Sequence, residues 1–230
     1  MKSAIGKCVT LFVVLALAAL FAAACNTATD TNTNSNIATS SATPPSVATA
    51  SPATGMSGDM SGMNHGAMQS SPNAASAAYD LQFLDTMTAH HQGAVDMARP
   101  AETKAQHSEL KEMAGNIIRD QEREIAQMKQ WRDEWYAGKP QAMNMEMSGM
   151  MDSMRGMDMT KLNAASGNAF DMMFLDMMTP HHQGAIVMAR EALTKAGHPE
   201  IKKLAQQIID AQEREIAQMN KWKTAWSAGK

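Results

Sequence analysis

The sequence predicts an all-α protein in which two repeated helical hairpins pack together as one four-helix bundle. Three observations carry that expectation. The block from Met87 to Arg99 (Met-Thr-Ala-His-His-Gln-Gly-Ala-Val-Asp-Met-Ala-Arg) returns 91 residues later as Met178 to Arg190. A second block, Gln121 to Met128, returns at the same offset as Gln212 to Met219. Between and around these blocks apolar residues recur at steps of three and four, and no window alternates with period two. Asp80 to Lys139 aligns on Asp171 to Lys230 without a gap at roughly three identities in five, which indicates a duplicated small domain rather than a solenoid.

Taken in order, the chain of 230 residues opens with Lys2 and Lys7, followed by an apolar run from Val9 to Ala24. This is the layout of a signal peptide, residues 1–25, too short and too soon polar for a transmembrane helix. The run ends in Ala22-Ala23-Ala24-Cys25, which resembles a bacterial lipoprotein signal and implies lipidation of Cys25 and a membrane anchor. Ala22 stands where leucine is usual, so cleavage without lipidation stays open. Cys8 lies within the removed segment, so the mature chain keeps at most one cysteine, which excludes an internal disulfide and a cysteine-based zinc or iron–sulfur site. Residues 26–74 are rich in Thr, Asn, Ser, Ala and Pro and predict a disordered tether, whose far end from Gly55 to Met68 carries four methionines and His65.

Residues 75–139 predict the first hairpin. A helix from about Ala75 to Arg99 places Leu81, Leu84, Met87, Ala94, Val95 and Ala98 on one stripe, and Pro100 ends or bends it. Ser108 is the expected N-cap of a second helix through Leu110, Ile117, Ile125, Met128, Trp131 and Trp135, closed by Gly138. Residues 140–165 form a methionine-rich linker, and residues 166–230 repeat the hairpin. A lone hairpin exposes its stripe, whereas two hairpins bury all four stripes against each other. The alternative is that each hairpin pairs with one from another chain, as a homo-oligomer.

Two copies of a helix bearing His-His-x-x-Ala-x-x-Met-Ala, each followed by one bearing Gln-x-x-Glu-Ile-x-x-Met-x-x-Trp, resemble the bacterial domain of unknown function 305 (DUF305) family. The similarity covers about 79 to 139 and 170 to 230. It implies a ferritin-like four-helix bundle, export, and a link to copper binding and copper tolerance.

The chemistry starts from composition. Net charge is −3, there is no long basic run, and 23 methionines stand against five phenylalanines and two tyrosines. The basic footprint of a nucleic-acid binder is missing, and methionine is the residue to explain. On a helix His90 shares a face with Met87, Ala94 and Met97, and His91 with Met87 and Ala98. In the second copy His181 lies with Met177, Met178, Ala185 and Met188, and His182 with Met178. Neighbouring positions diverge by about 100°, so one histidine of each pair is expected to point inward. The plain structural reading is an inward histidine bonded to Glu124 or Gln121, with its neighbour solvated. The metal reading takes imidazole and thioether together: thioether suits Cu(I), with Ag(I) as its mimic, and imidazole accepts either copper state. A di-iron site needs a Glu-x-x-His motif that is absent, leaving Glu124, Glu215, Asp80, Asp85, Asp171 and Asp176 as acidic candidates.

Met143, Met145, Met147, Met150, Met151, Met154, Met157 and Met159 sit among Gly, Ser, Asn and Asp with no helical stripe, so no core is expected to account for them. Flexible Met-x-Met spacings can wrap a Cu(I) ion, and oxidant scavenging is the competing use. The expected function is therefore an exported copper-binding protein, not an enzyme, that sequesters Cu(I) or hands it to a copper transporter or chaperone. A metal-dependent redox enzyme and a structural helical module are the rivals.

Overall fold

A computed structural model describes residues 68–227. The signal peptide, Cys25 and the tether up to Ala67 lie outside the described residues. Among those described there is no strand, and the all-α expectation holds. Also among them, no helix is long and apolar enough to cross a membrane.

A short 3-10 turn, Ala74–Ser76, leads into α1, Tyr79–Ala98. The helix begins later than the sequence pattern suggests because Ala77 and Ala78 are extended and the Gln82 amide donates to the Ala77 carbonyl at 2.8 Å. Pro100 breaks the helix as expected, and the chain resumes as α2, Ala101–Lys104, before α3, Ser108–Trp135. Two short helices follow in the linker, α4 (Met150–Ser153) and α5 (Met159–Ala164), and then α6 (Gly167–Lys195) and α7 (Pro199–Ser227). Glu191 stands where the first copy has Pro100, so α6 runs on unbroken past that point.

α1 packs on α3, α6 on α7, and α1 on α6. Two apolar clusters result. The first joins Phe83, Leu84 and Met87 from the start of α1 to Ala185, Met188 and Ala192 from the end of α6. The second joins Met97 and Ala98 from the end of α1 to Phe174, Leu175 and Met178 from the start of α6. α1 and α6 therefore run antiparallel, and a pseudo-two-fold exchanges the clusters.

Two reciprocal clamps hold the hairpins in register. Asp80 of the first hairpin accepts the backbone N–H groups of Gly197 and His198 from the second, both at 2.9 Å, and the His198 Nδ1–H at 2.5 Å. Asp171 of the second accepts the N–H groups of Gln106 and His107 from the first, at 2.9 and 3.0 Å, and the His107 Nδ1–H at 2.6 Å. Ser108 is thus the first helical residue and not the cap, because the orphan donors before α3 go to Asp171. Trp135 stacks on His198 at 3.9 Å and Trp226 on His107 at 3.8 Å. Trp135 and Trp226 thus close the joint between the hairpins.

The linker corrects the sequence reading. Met145, Met147 and Met150 are buried in the first cluster, with Met143 and Met154 packed against it. Thr86 Oγ1 accepts the Asn144 N–H at 2.9 Å, Asp85 that of Ala142 at 2.7 Å, and Asn144 Nδ2 donates to Gln82 at 2.8 Å. The tract lacks a helical stripe because it crosses the bundle as a strap, where 3.6-residue periodicity has no meaning. Residues 68–74, expected as the last of the tether, are packed as well: Ser71 donates to the Met143 carbonyl at 2.8 Å, and Met68 lies against the first cluster.

Two expectations follow. Asp80→Asn or Asp171→Asn should each lower unfolding free energy by about 1.5–3 kcal/mol, the worth of hydrogen bonds to a charged group. Asp176→Asn, which breaks only the exposed pair with Lys223, should change it by less than about 1 kcal/mol. Met150→Ala should cost about 2–5 kcal/mol through the cavity it leaves, whereas Met151→Ala, at a side chain 62% exposed, should stay within about 0.5 kcal/mol. Chemical denaturation of each variant checks both.

Candidate metal centre

The four histidines form a polar layer between the two apolar clusters. His90 on α1 and His181 on α6 meet where those helices pack, with ring centroids 3.8 Å apart and planes 36° from parallel. His91 lies 6.3 Å from His90, and His182 lies 6.4 Å from His181. All four are at most 1% exposed, so the expectation that one histidine of each pair is solvated does not hold. The 100° divergence is real, but both directions end inside protein: one on the bundle axis, the other against the second helix of the same hairpin.

His91 Nε2 is 2.8 Å from Glu124 Oε2, and His182 Nε2 is 2.8 Å from Glu215 Oε2. A carboxylate only accepts, so each Nε2 carries the proton. That leaves Nδ1 of each neutral ring with a lone pair, buried and without a hydrogen-bond partner. Gln121 Oε1 and Gln212 Oε1, one helical turn before the glutamates, are likewise buried and unsatisfied. A carboxylate that fixes the tautomer of a histidine whose other nitrogen is free is the arrangement that prepares an imidazole to bind a metal. Glu124 also lines a cleft of about 420 Å³ between α3 and α7, with Asp120, Gln127, Asp210 and Arg214.

The acidic candidates are otherwise engaged. Asp80 and Asp171 form the clamps. Asp85 holds Ala142 and Arg132, and burial pushes its carboxyl above the ordinary range although those two donors pull it down. Asp176 pairs with Lys223. Among the described residues, no three His, Cys, Asp or Glu side chains are gathered where they could hold a metal ion. A metal here would complete its coordination from other donors, and the surroundings offer the Gln121 and Gln212 oxygens and thioether sulfur.

Met87 and Met188 belong to the first cluster and Met97 and Met178 to the second, all four buried. These methionine side chains thus lie in the clusters on either side of the histidine layer. Of the linker methionines, Met143, Met145, Met147, Met150 and Met154 join the side of Met87, while Met157 and Met159 join the side of Met97. Met151 faces outward. From the sequence, Gln121 is expected only as a hydrogen-bond partner of an inward histidine and Asp80 and Asp171 only as acidic candidates; Gln212 and the pairing of these aspartates with the other hairpin are not singled out, and their signal is identity at the 91-residue offset.

Comparison with known proteins shows what the chain as a whole resembles. The family model described as domain of unknown function (DUF305) matches residues 26–132 and again 80–223. The protein CopM, solved in Cu(II)-bound, Cu(I)-bound, silver-bound and apo forms, is similar to this chain. Its Cu(II)-bound form is 43% identical, with 64% of this chain and 98% of that one covered at a TM-score of 0.54, and the other forms are comparable. A DUF305 protein of Streptomyces coelicolor is 26% identical, with 68% of this chain and 95% of that chain covered at a TM-score of 0.58. A segment of 50 residues is 42% identical to the uncharacterized protein L153 of Acanthamoeba polyphaga mimivirus, covering 22% of this chain and only a third, 33%, of that relative's length.

The tautomer assignment is testable in the metal-free protein. Long-range ¹⁵N NMR of the imidazoles should give His91 and His182 as Nε2–H tautomers at neutral pH, and Glu124→Gln should release His91 from that preference while leaving His182 unchanged.

Proposed function

The chain belongs to the DUF305 family, and on that premise we propose that it is an exported copper-binding protein that takes up Cu(I), and Ag(I) as its mimic, at the histidine layer. The observation that carries the proposal is the pairing of His90 with His181 between two sets of buried thioethers, in a chain 43% identical to a protein solved with copper and silver bound. No three His, Cys, Asp or Glu side chains are gathered for Zn²⁺ or a di-iron centre among the described residues, and the methionines buried in the clusters on either side offer sulfur, which favours soft monovalent ions. The lone pairs of His91 and His182 supply Cu(II) with the imidazole it requires. His90, His91, His181 and His182 are the proposed imidazole ligands, with Met87, Met97, Met178 and Met188 as thioethers. The linker methionines other than the exposed Met151 serve as further sulfur donors, Met143, Met145, Met147, Met150 and Met154 on the side of Met87 and Met157 and Met159 on the side of Met97.

Binding here is sequestration or transfer and not turnover. Protons compete with metal for the same imidazole nitrogens, so acidification favours release, while the thioethers keep part of their affinity for Cu(I). Export, with Cys25 as a lipid anchor, rests on the N-terminal signal, and it would set the protein outside the cytoplasm where a copper transporter or chaperone is the natural recipient. A contribution to copper tolerance follows from removing free ions.

Competition titration of the purified mature chain tests this. Cu(I) and Ag(I) should bind in preference to Zn²⁺. Replacing His90, His91, His181 and His182 by glutamine should abolish Cu(II) binding and remove part of the Cu(I) capacity, with helicity retained by circular dichroism. Equal or tighter zinc binding would contradict the proposal.

A further inference from the structure

The cleft between α3 and α7 lies in line with the histidine layer. Its lining includes both members of two repeat-related pairs, Asp120 with Ala211 and Arg123 with Arg214, each at the 91-residue offset. A cavity lined by both members of such pairs lies across the pseudo-two-fold that relates the hairpins. His90 and His181 are another such pair, and their rings meet at 3.8 Å, so the layer sits on the same axis.

Glu124 belongs to both places. It lines the cleft, and its Oε2 is 2.8 Å from Nε2 of His91. His91 is fully buried, and its Nδ1 is without a hydrogen-bond partner. The Glu124 side chain keeps 14% of its surface exposed and that of His91 none, so the boundary between solvent and layer falls at this one contact. The lining also has a sign. Three carboxylates, Asp120 and Glu124 on one wall and Asp210 on the other, outnumber two guanidiniums, and Arg123 is tied to Asp120 at 2.9 Å. A cleft of that net sign concentrates cations. Ala211, standing to Asp120, leaves the opposite wall low.

We propose that this cleft is the port through which copper ions reach and leave the histidine layer, with Glu124 at its inner end. The inference rests on the copper-binding reading and adds to it a route. Glu124 holds His91 by a single hydrogen bond, and swinging its carboxylate into the cleft uncovers the ring. Ala211 sets the width of the port, and Asp120 and Asp210 draw the ion in.

Stopped-flow kinetics on the full mature chain test this, with Cu(II) as the probe because its visible absorbance reports the imidazole sites. Ala211→Trp, which fills the cleft, should slow both Cu(II) uptake and release to excess EDTA several-fold and leave the affinity unchanged, because a port alters the path and not the bound state. Ala217→Trp, at an exposed position of α7 outside the cleft, should leave both rates as they are. The double variant Asp120→Asn with Asp210→Asn, which preserves shape, should slow uptake several-fold at low ionic strength and lose that effect in high salt. Circular dichroism confirms that each variant is folded. Failure of the unaltered chain to bind Cu(II) would overturn the imidazole site and the port together. Binding with unchanged rates in both the folded Ala211→Trp and the double aspartate variant would overturn the port alone.

Discussion

Each clamp takes a carboxylate from one hairpin and three donors from the other: two backbone N–H groups and an imidazole. A carboxylate as buried as Asp171 is strongly unfavourable unless its lone pairs are filled, and only the partner hairpin, in one axial register, fills them. The same donors are the orphan N–H groups ahead of α3 and α7, so neither helix start is satisfied until the hairpins are docked. A ladder of tryptophan on histidine covers each clamp. Because the two clamps are related by the pseudo-two-fold, they fix how far α1 slides against α6. That register is what sets His90 opposite His181 and places Met87 with Met188 and Met97 with Met178.

The layer so positioned works against packing. Four imidazoles and two glutamine side chains occupy the middle of the bundle between two apolar clusters, and Nδ1 of His91 and of His182 and Oε1 of both glutamines find no partner. An unsatisfied buried polar atom costs roughly 1–3 kcal/mol, and an apolar layer of the same shape would be the more stable choice. Departures of this kind from local consistency are expected at functional sites, and a bound ion that uses those lone pairs relieves the cost. The clamps and the two clusters supply the rigidity that holds the layer in place without it.

Much of this was legible in the sequence because helices advertise themselves. The 3.6-residue stripe gave α1, α3, α6 and α7, and the constant offset gave the pairing of hairpins. The histidine faces were readable to within one residue, but a helical wheel shows direction and not what lies there, so the second histidine of each pair was expected in solvent when it points at Glu124 or Glu215 of its own hairpin. The clamps join residues 64 to 118 apart and leave no periodic trace, although the invariance of Asp80/Asp171, His107/His198 and Trp135/Trp226 across the repeat was there to be read. The strap was the least legible. Met145, Met147 and Met150 are held by a positive-φ glycine, short turns and bonds to α1 side chains, and none of these has a hydrophobic period.

X-ray absorption spectroscopy at the copper edge of the Cu(I)-loaded protein bears most directly on the central claim, that imidazole and thioether act together in one layer. The account predicts a mixed shell in which imidazole nitrogen and thioether sulfur both scatter, with the imidazole multiple-scattering pattern lost when His90, His91, His181 and His182 are replaced by glutamine. A sulfur-only shell in the unaltered protein, insensitive to those replacements, would contradict it.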